Sequence, residues 1–337
     1  MELQTQANWE YCEEMLPKVS RTFALNIREL KGDTHRAVLL GYLFFRIADT
    51  FEDNTYQSEE EKIKTLYNYS DIFKGNKSLN ERLELYESLK FGWREQSPDK
   101  ELVENGDQVI RCYFDLPAVY REIIDPHIVM TSEGMADFQQ RKLDSGLKIF
   151  QLQDVSDLEG YCYYVAGVVG MMLTQIFCQQ ENISGLRSQL ENYQVDFGLA
   201  LQLTNVIKDS QKDLERGWCY LPASVTEKYQ VKPEELTGIA PNRKKELLRE
   251  LLDVILPSYN STLKYIETIP EDERSVRMFC IIAFVLSYNT LLNIMNMKGS
   301  KVSRPQVTEI LARCKSFAAS NKLLEEDYSK VVNLLRG

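Results

Sequence analysis

The sequence predicts an all-α fold, and three observations predict it. No proline lies between Pro17 and Pro98, and none between Pro126 and Pro222; helix interiors tolerate few prolines, so both gaps permit long helices. No alternating apolar–polar run bounded by Asn-Gly or Asp-Gly marks a strand. The segments between candidate helices are short, with no domain linker, low-complexity stretch or solenoid period among them. At 337 residues the chain could hold two domains. Without a linker, one helical domain over residues 1–337 is the economical expectation.

The expected helices span residues 34–54, 59–73, 79–94, 100–112, 132–144, 155–180, 187–215, 243–268, 272–297, 304–318 and 322–335. Lys74-Gly75-Asn76, Ser97-Pro98-Asp99 and Asp125-Pro126 punctuate the first half as loops. Gly217 to Pro222, Thr237 to Asn242 and Gly299 to Pro305 do so in the second. Hydrophobic residues make up 44%, enough for a sizeable core.

Composition excludes several functions. A formal net charge of -10 lacks the basic footprint of a nucleic-acid binder. Two histidines, His35 and His127, far apart in sequence, exclude a His-rich zinc site and a Ser-His-Asp triad. Seven scattered cysteines without a C-x-x-C pair read as reduced thiols of a cytosolic protein. Residues 1–9 show no basic n-region or apolar h-region, so no signal peptide is expected. The longest apolar stretch, Met278 to Leu292, is interrupted by Ser287, Tyr288 and Asn289 and is expected to be too short for a bilayer. Any lipid would be met by a soluble or peripheral protein.

Two acidic stations carry the chemistry. The first is Tyr42-Leu-Phe-Phe-Arg46-Ile-Ala-Asp49-Thr-Phe-Glu52-Asp53. Asp49 and Asp53 are four apart and share one helical face, which Arg46 and Tyr42 continue. Like charges at that spacing repel, and apolar flanks desolvate them further. A divalent cation removes both penalties, and magnesium favours carboxylates with water and phosphate oxygens. The other reading is a solvated acidic face ending a helix before Asn54.

The second station is Gln202-Leu-Thr-Asn205-Val-Ile-Lys208-Asp209-Ser-Gln-Lys212-Asp213. Asp209 and Asp213 repeat the spacing, Asn205 and Gln202 extend the face, and Lys208 stands one residue off it within reach of a phosphate. Its bland alternative is an ion-pair network of Lys208 and Lys212 on an exposed helix end. Facing each other, the two stations could hold magnesium ions bridging a diphosphate; no Walker loop or G-x-G-x-x-G is present to bind phosphate by backbone instead.

Three further segments fit such a site, each with an ordinary structural alternative. In Ser20-Arg21-Thr22-Phe23, Arg21 could offer a bidentate fork to a diphosphate, or be a surface arginine beside a capping serine. In Tyr161-Cys-Tyr-Tyr164-Val-Ala-Gly167-Val-Val-Gly170, the tyrosines could meet a carbocation, or pack a core. Each glycine there costs about 1 kcal/mol relative to alanine, so close packing or room for a ligand should compensate. The segment from Arg277 to Leu292, with Phe279, Phe284 and Tyr288, suits a tunnel wall or an ordinary core helix.

These motifs together resemble the squalene/phytoene synthase family, which joins prenyl diphosphates head to head. The resemblance runs from about Trp9 to Pro222, and more loosely to Gly299. It rests on Ser20-Arg21-Thr22-Phe23, Arg46 to Asp53, Tyr161 to Gly170, and Leu201 to Asp209 with Asp213 and Tyr220-Leu-Pro222. The blocks at Ser20 and Tyr161, with the form of the first acidic motif, look nearest to squalene synthases; Gln202-Leu-Thr-Asn205 and Tyr220-Leu-Pro222 also occur in bacterial phytoene-type members. The resemblance implies an isoprenoid-synthase-type helical bundle around a central cavity, with magnesium on Asp49, Asp53, Asp209 and Asp213. It implies two farnesyl diphosphates as substrate. One ionises at C1, the double bond of the second attacks, and proton loss gives presqualene diphosphate. In squalene synthases, a second ionisation, rearrangement and hydride transfer from NADPH follow. Tyr42, Arg46, Arg21, Tyr161, Gln202 and Asn205 match family active-site positions, and Ser20 and Lys208 join the diphosphate-binding set.

There are departures from the family pattern. Lys208 replaces a usual arginine, keeping the charge and losing the fork. After Phe279 the usual Pro-Gln is Cys280-Ile. The basic stretch tied to NADPH is echoed only by Lys298, Lys301 and Arg304, so Phe279, Lys298 and Lys301 form the expected reductant site. No counterpart of the C-terminal membrane anchor of eukaryotic members is expected. A cytoplasmic protein, touching membrane peripherally to release product, is the matching expectation; a monomer is compatible with it, and the sequence leaves the oligomeric state open. Dehydrosqualene or phytoene synthase, needing no NADPH, and a presqualene diphosphate synthase are the enzymatic alternatives. A terpene cyclase would want Asn, Ser or Thr, and Glu where Asn205, Asp209 and Asp213 stand. A non-enzymatic assembly factor would have decayed aspartate pairs, and a plain helical scaffold would be indifferent to their loss.

Overall fold

Eighteen α-helices occur among residues 2–90, 96–299 and 301–337, which the computed structural model describes; the end of the expected helix over 79–94 lies outside them at 91–94. The chain divides into two compact units. One comprises Met1–Gly146 with Gln175–Gln179, the other Leu147–Thr174 with Gln180–Gly337.

The first unit holds α1 (Glu2–Val19), α2 (Phe23–Ile27), α3 (Gly32–Glu52), α4 (Glu59–Phe73), α5 (Leu79–Glu87), α6 (Pro98–Glu104), α7 (Gly106–Asp115) and α8 (Ala118–Ser145). Helix α4 starts where a capping box dictates. The Ser58 hydroxyl accepts from the Glu61 amide, and the Glu61 carboxylate accepts from the Ser58 amide. Helix α3 buries Phe44, Ile47 and Phe51. Phe44 meets Phe73 and Tyr113 edge-on at 5.0 and 5.9 Å, and Tyr69 donates to its carbonyl at 3.0 Å.

Three expectations fail in this unit. Helix α1 is unforeseen, since Pro17 lies inside it. Its buried Cys12, Met15 and Leu16 and the 2.6 Å pair of Glu13 with His35 hold it in place. The expected helix over 100–112 is two, α6 and α7, broken at Asn105. The loop read at Asp125-Pro126 is the middle of α8. Arg82 grips Asp125 through both terminal nitrogens, at 3.0 and 2.6 Å, and Tyr113 donates to it at 2.7 Å, which anchors the turn ahead of the proline.

The second unit holds α9 (Val155–Cys162), a π turn (Tyr163–Gly167), α10 (Val168–Phe177, whose last residues belong to the first unit), α11 (Glu181–Ser184) and α12 (Arg187–Leu190). It continues with α13 (Gln194–Glu215), α14 (Ala223–Thr226), α15 (Pro241–Thr268), α16 (Arg274–Met295), α17 (Arg304–Phe317) and α18 (Asn321–Arg336). Expected single helices over 155–180 and 187–215 are thus interrupted. The only strands among the described residues are β1 (Phe150–Gln151) and β2 (Trp218–Cys219), paired in parallel.

Helix α16 corrects another expectation. At 22 residues and a mean hydropathy of 1.8 it is long and apolar enough to cross a membrane, as is Val155–Phe177 at 1.2. Most of α16 is nonetheless buried against α13, α15, α17 and α18. Three hydroxyls tie its neighbours together: Thr204 on α13, Tyr259 on α15 and Ser287 on α16 lie 2.6, 2.7 and 3.0 Å apart around a triangle. At its start Arg277 is fully buried. It donates to the carbonyls of Ile266, Ile269 and Ala318 at 2.6–2.9 Å and to Asn321 Oδ1 at 2.6 Å. These carbonyls end α15 and α17, where helices leave acceptors unpaired.

Candidate active site

The first station is the C-terminal half of α3. Arg46 and Asp49 are half-buried, Asp53 is exposed, and Glu52 turns inward to accept from Gln139 at 3.3 Å. The arginine does not spread evenly over its neighbours. Its Nε donates to Asp99 at 2.9 Å, while its Nη1 stays 3.8 Å from Asp49. Burial alone would pull the Arg46 guanidinium down, but Asp49 and Asp99 together hold it above its ordinary range. A cavity of about 170 Å³ opens here, lined by Arg46, Thr50, Asp53, Asn54, Ser97 and Asp99 among others. Asn54 closes the helix, its Oδ1 accepting from the Tyr56 amide at 2.9 Å.

Tyr42 lies one turn back, its ring 5.2 Å from Phe23. Burial pushes its phenol up to about 12, against a Ser20 hydrogen bond and the Arg46 charge. Ser20 also caps the turn by accepting from the Phe23 amide at 3.1 Å. Arg21 is exposed.

The second station lies on α13. Lys208 donates to Asn205 Oδ1 at 2.6 Å and sits 3.1 Å from Asp209, so it joins the face it was expected to miss. Lys212 is 3.7 Å from Asp209. Gln202 is half-buried on the same helix. Asp213 departs from the expectation of a matched pair. It is buried, and its Oδ1 lies 2.5 Å from Arg216. The local ion-pair network foreseen as the alternative reading is therefore present in part.

Among the described residues no group of three or more His, Cys, Asp or Glu side chains gathers to hold a metal. Each station offers a pair of carboxylates at most. That is what magnesium takes when water and phosphate complete its octahedron. The donor chemistry fits best at Asp49 and Asp53, which solvent reaches, and at Asp209.

Tyr161 is built into an aromatic stack that sequence reasoning missed. It lies over Tyr220 at 4.3 Å, and Tyr220 stacks on Trp218 at 5.1 Å. The β1–β2 pairing brings Trp218 to Phe150, 5.4 Å away. Nothing local marks this partnership, because Tyr161 and Tyr220 are far apart in sequence.

The glycines resolve into close packing. A Cβ on Gly170 would stand 1.9 Å from the Gln194 carbonyl oxygen, and one on Gly198 would stand 2.0 Å from that of Ala166. Backbone meets backbone between α13 and the segment running from the π turn into α10. Gly198→Ala should therefore cost about 1–3 kcal/mol or more, read as a lower melting temperature. An unchanged melt would mean that α13 shifts aside without penalty.

The expected reductant residues are not brought together. Phe279 is buried near the start of α16, whereas Lys298 and Lys301 are exposed beyond its end. The intervening helix separates them by roughly 24 Å at 1.5 Å per residue.

The squalene/phytoene synthase family profile matches residues 16–310. The squalene synthase of Nicotiana benthamiana is 28% identical over 323 residues, covering 92% of this chain and 72% of its own. Among solved structures, TcSQS in complex with a ligand superposes with a TM-score of 0.79 at 23% identity, covering 98% of this chain and 96% of its own. A dehydrosqualene synthase in complex with a ligand gives 0.62 at 22% identity, with 94% and 98% covered. At these identities the two structures speak for the all-α fold alone.

Proposed function

Because the chain belongs to the squalene/phytoene synthase family, whose members are prenyltransferases that condense farnesyl diphosphate units, we propose that it is a squalene synthase. It would join two farnesyl diphosphates head to head through presqualene diphosphate and reduce the product with NADPH. The observation that carries the reading is the α3 face. There a guanidinium, steered by Asp99, stands beside Asp49 and Asp53 at the edge of a cavity. A diphosphate needs such a mixture, with fixed positive charge for its oxygens and carboxylates for its counter-cations.

Asp49 and Asp53, and separately Asp209, would hold magnesium, while Asp213 stays with Arg216. When bound, the metal would neutralise charge on the departing diphosphate and orient it. Arg46, Arg21 and Lys208 would contact diphosphate oxygens directly, Lys208 as a point charge fixed by Asn205. Tyr161 would present its ring to cationic carbon, stiffened by Tyr220 and Trp218. Tyr42 would keep its proton at neutral pH and act as a hydrogen-bond donor.

A second reading stops at dehydrosqualene or presqualene diphosphate. The separation of Phe279 from Lys298 and Lys301 favours it, since no single cluster there would grip a nicotinamide cofactor. Mass spectrometry of products separates the two. The protein would receive farnesyl diphosphate and magnesium, with and without NADPH. Squalene formed only with NADPH is expected. A product unchanged by NADPH would replace the first reading with the second, and no product from any prenyl diphosphate would sink both.

A further inference from the structure

We propose that His35 is a positioning residue that works as an imidazolium clasp, donating from both ring nitrogens so that segment 20–23 is held on either side; the proposed function enters only in reading Ser20 and Arg21 as diphosphate contacts. His35 stands in the first turn of α3. Its Nε2 lies 2.6 Å from Glu13 Oε1 on α1, and its Nδ1 lies 3.0 Å from the carbonyl oxygen of Ile27, the last residue of α2. Segment 20–23 joins α1 to α2, so one ring grips the chain before it and after it. Helix α2 needs such help. It has five residues, far short of the roughly 12–15 at which an isolated helix becomes even marginal.

Both partners are acceptors, the carbonyl by nature and the carboxylate when ionised. A neutral imidazole has one N–H to give and would set a lone pair against the other oxygen. Two protons are therefore needed among these three groups. The imidazole carries the second, because it is a stronger base than a carboxylate by about two pH units. The surrounding charges agree. The hydrogen bond to Glu13 raises the His35 pKa above its ordinary value, against burial and the neighbouring Arg36. His35 in turn draws Glu13 below the ordinary carboxylate range, and Arg28 and Arg36 add to that pull. Arg36 is engaged on its other sides, 5.1 Å from the centre of the Trp9 ring and 3.8 Å from Asp33.

The clasp is complete between two limits. The part due to Glu13 is present above about pH 4.3 and is lost as pH falls through its lowered folded value. The part due to His35 is fully present below about pH 6.5 and is lost as pH rises through its raised folded value.

The test is nuclear magnetic resonance of the full chain labelled with nitrogen-15 histidine, in which two residues respond, His35 and His127. At pH 7 His35 should show two protonated ring nitrogens. His127 should show one, since it is buried with its Nδ1 2.6 Å from the Ile123 carbonyl and burial holds its pKa below the ordinary value. Glu13→Gln should lower the His35 midpoint by about one pH unit. His35→Gln should weaken the hydrogen-exchange protection of amides in residues 22–30 roughly tenfold at pH 6, the scale of one charge-assisted hydrogen bond, and leave it at the wild-type level at pH 9. His35→Arg, which stays charged and forked, should keep the protection at both. A neutral His35 at pH 7 overturns the proposal. So does an unmoved midpoint in Glu13→Gln. So does a loss in His35→Gln that is the same at pH 6 and pH 9, which would mark the ring as filling space alone. None of these readings needs substrate. Their failure removes only the clasp, and a protein that forms no product removes only the squalene synthase reading.

Discussion

Asp49→Asn should reduce turnover of farnesyl diphosphate by about a thousandfold or more while leaving the fold intact. The size follows from what the carboxylate is asked to supply. A metal that stabilises developing charge on a leaving group contributes several kcal/mol, and each 1.36 kcal/mol is a factor of ten in rate. Asparagine keeps the volume and loses the charge, so a cation would be held by Asp53 alone at this station. The fold should tolerate the change, because the Asp49 side chain is 41% exposed and its nearby arginine has Asp99 as partner. The measurement is initial rate with magnesium, beside a thermal melt. Turnover within tenfold of wild type would remove Asp49 from the metal site.

Arg277→Met should produce the largest stability loss of any single change discussed. The guanidinium serves three main-chain carbonyls and the Asn321 amide oxygen from a position with no solvent exposure. Methionine fills much of the volume and satisfies none of these acceptors. Each buried polar group left unpaired costs about 1–3 kcal/mol, so a loss of at least about 3 kcal/mol is expected. That corresponds to a fall of roughly 4 °C or more in melting temperature for a chain of this length. Arg277→Lys should not rescue it, since one ammonium cannot reach two helix ends in the geometry of the fork. A melt within 1 °C of wild type, on the order of 0.7 kcal/mol, would show that water replaces the arginine at little cost.

What the sequence made legible was local. The stations follow from four-residue spacing, and α4 begins and ends where the Ser58–Glu61 box and the Lys74-Gly75 turn place it. What stayed hidden depends on partners distant in the chain. Asp99 is 53 residues from Arg46, and Arg277 meets acceptors 8 to 44 residues away. Pro126 misled because the usual penalty of a helical proline is offset by Arg82 and Tyr113, whose grip on Asp125 no local pattern announces. Asp213 shows the opposite failure: its tie to Arg216 is only three residues long, but the repeated Asp-x-x-x-Asp spacing drew attention away from it.

The π turn at Tyr163–Gly167 gives the segment a gear. Its closing bond runs from the Val168 amide to the Tyr163 carbonyl, one residue farther than an α-helix allows. The chain before it is therefore rotated by about one residue's angle, roughly 100°, relative to a continuous helix through α10. That offset lets one face carry Tyr161 to Tyr220 and Trp218 while another lays Gly170 flat against Gln194. Removing a single residue from the turn would restore perfect helical phase, and in doing so would swing Tyr161 away from its stack or lift Gly170 from α13. In this stretch the number of residues sets the alignment, so a one-residue deletion would misplace both faces at once.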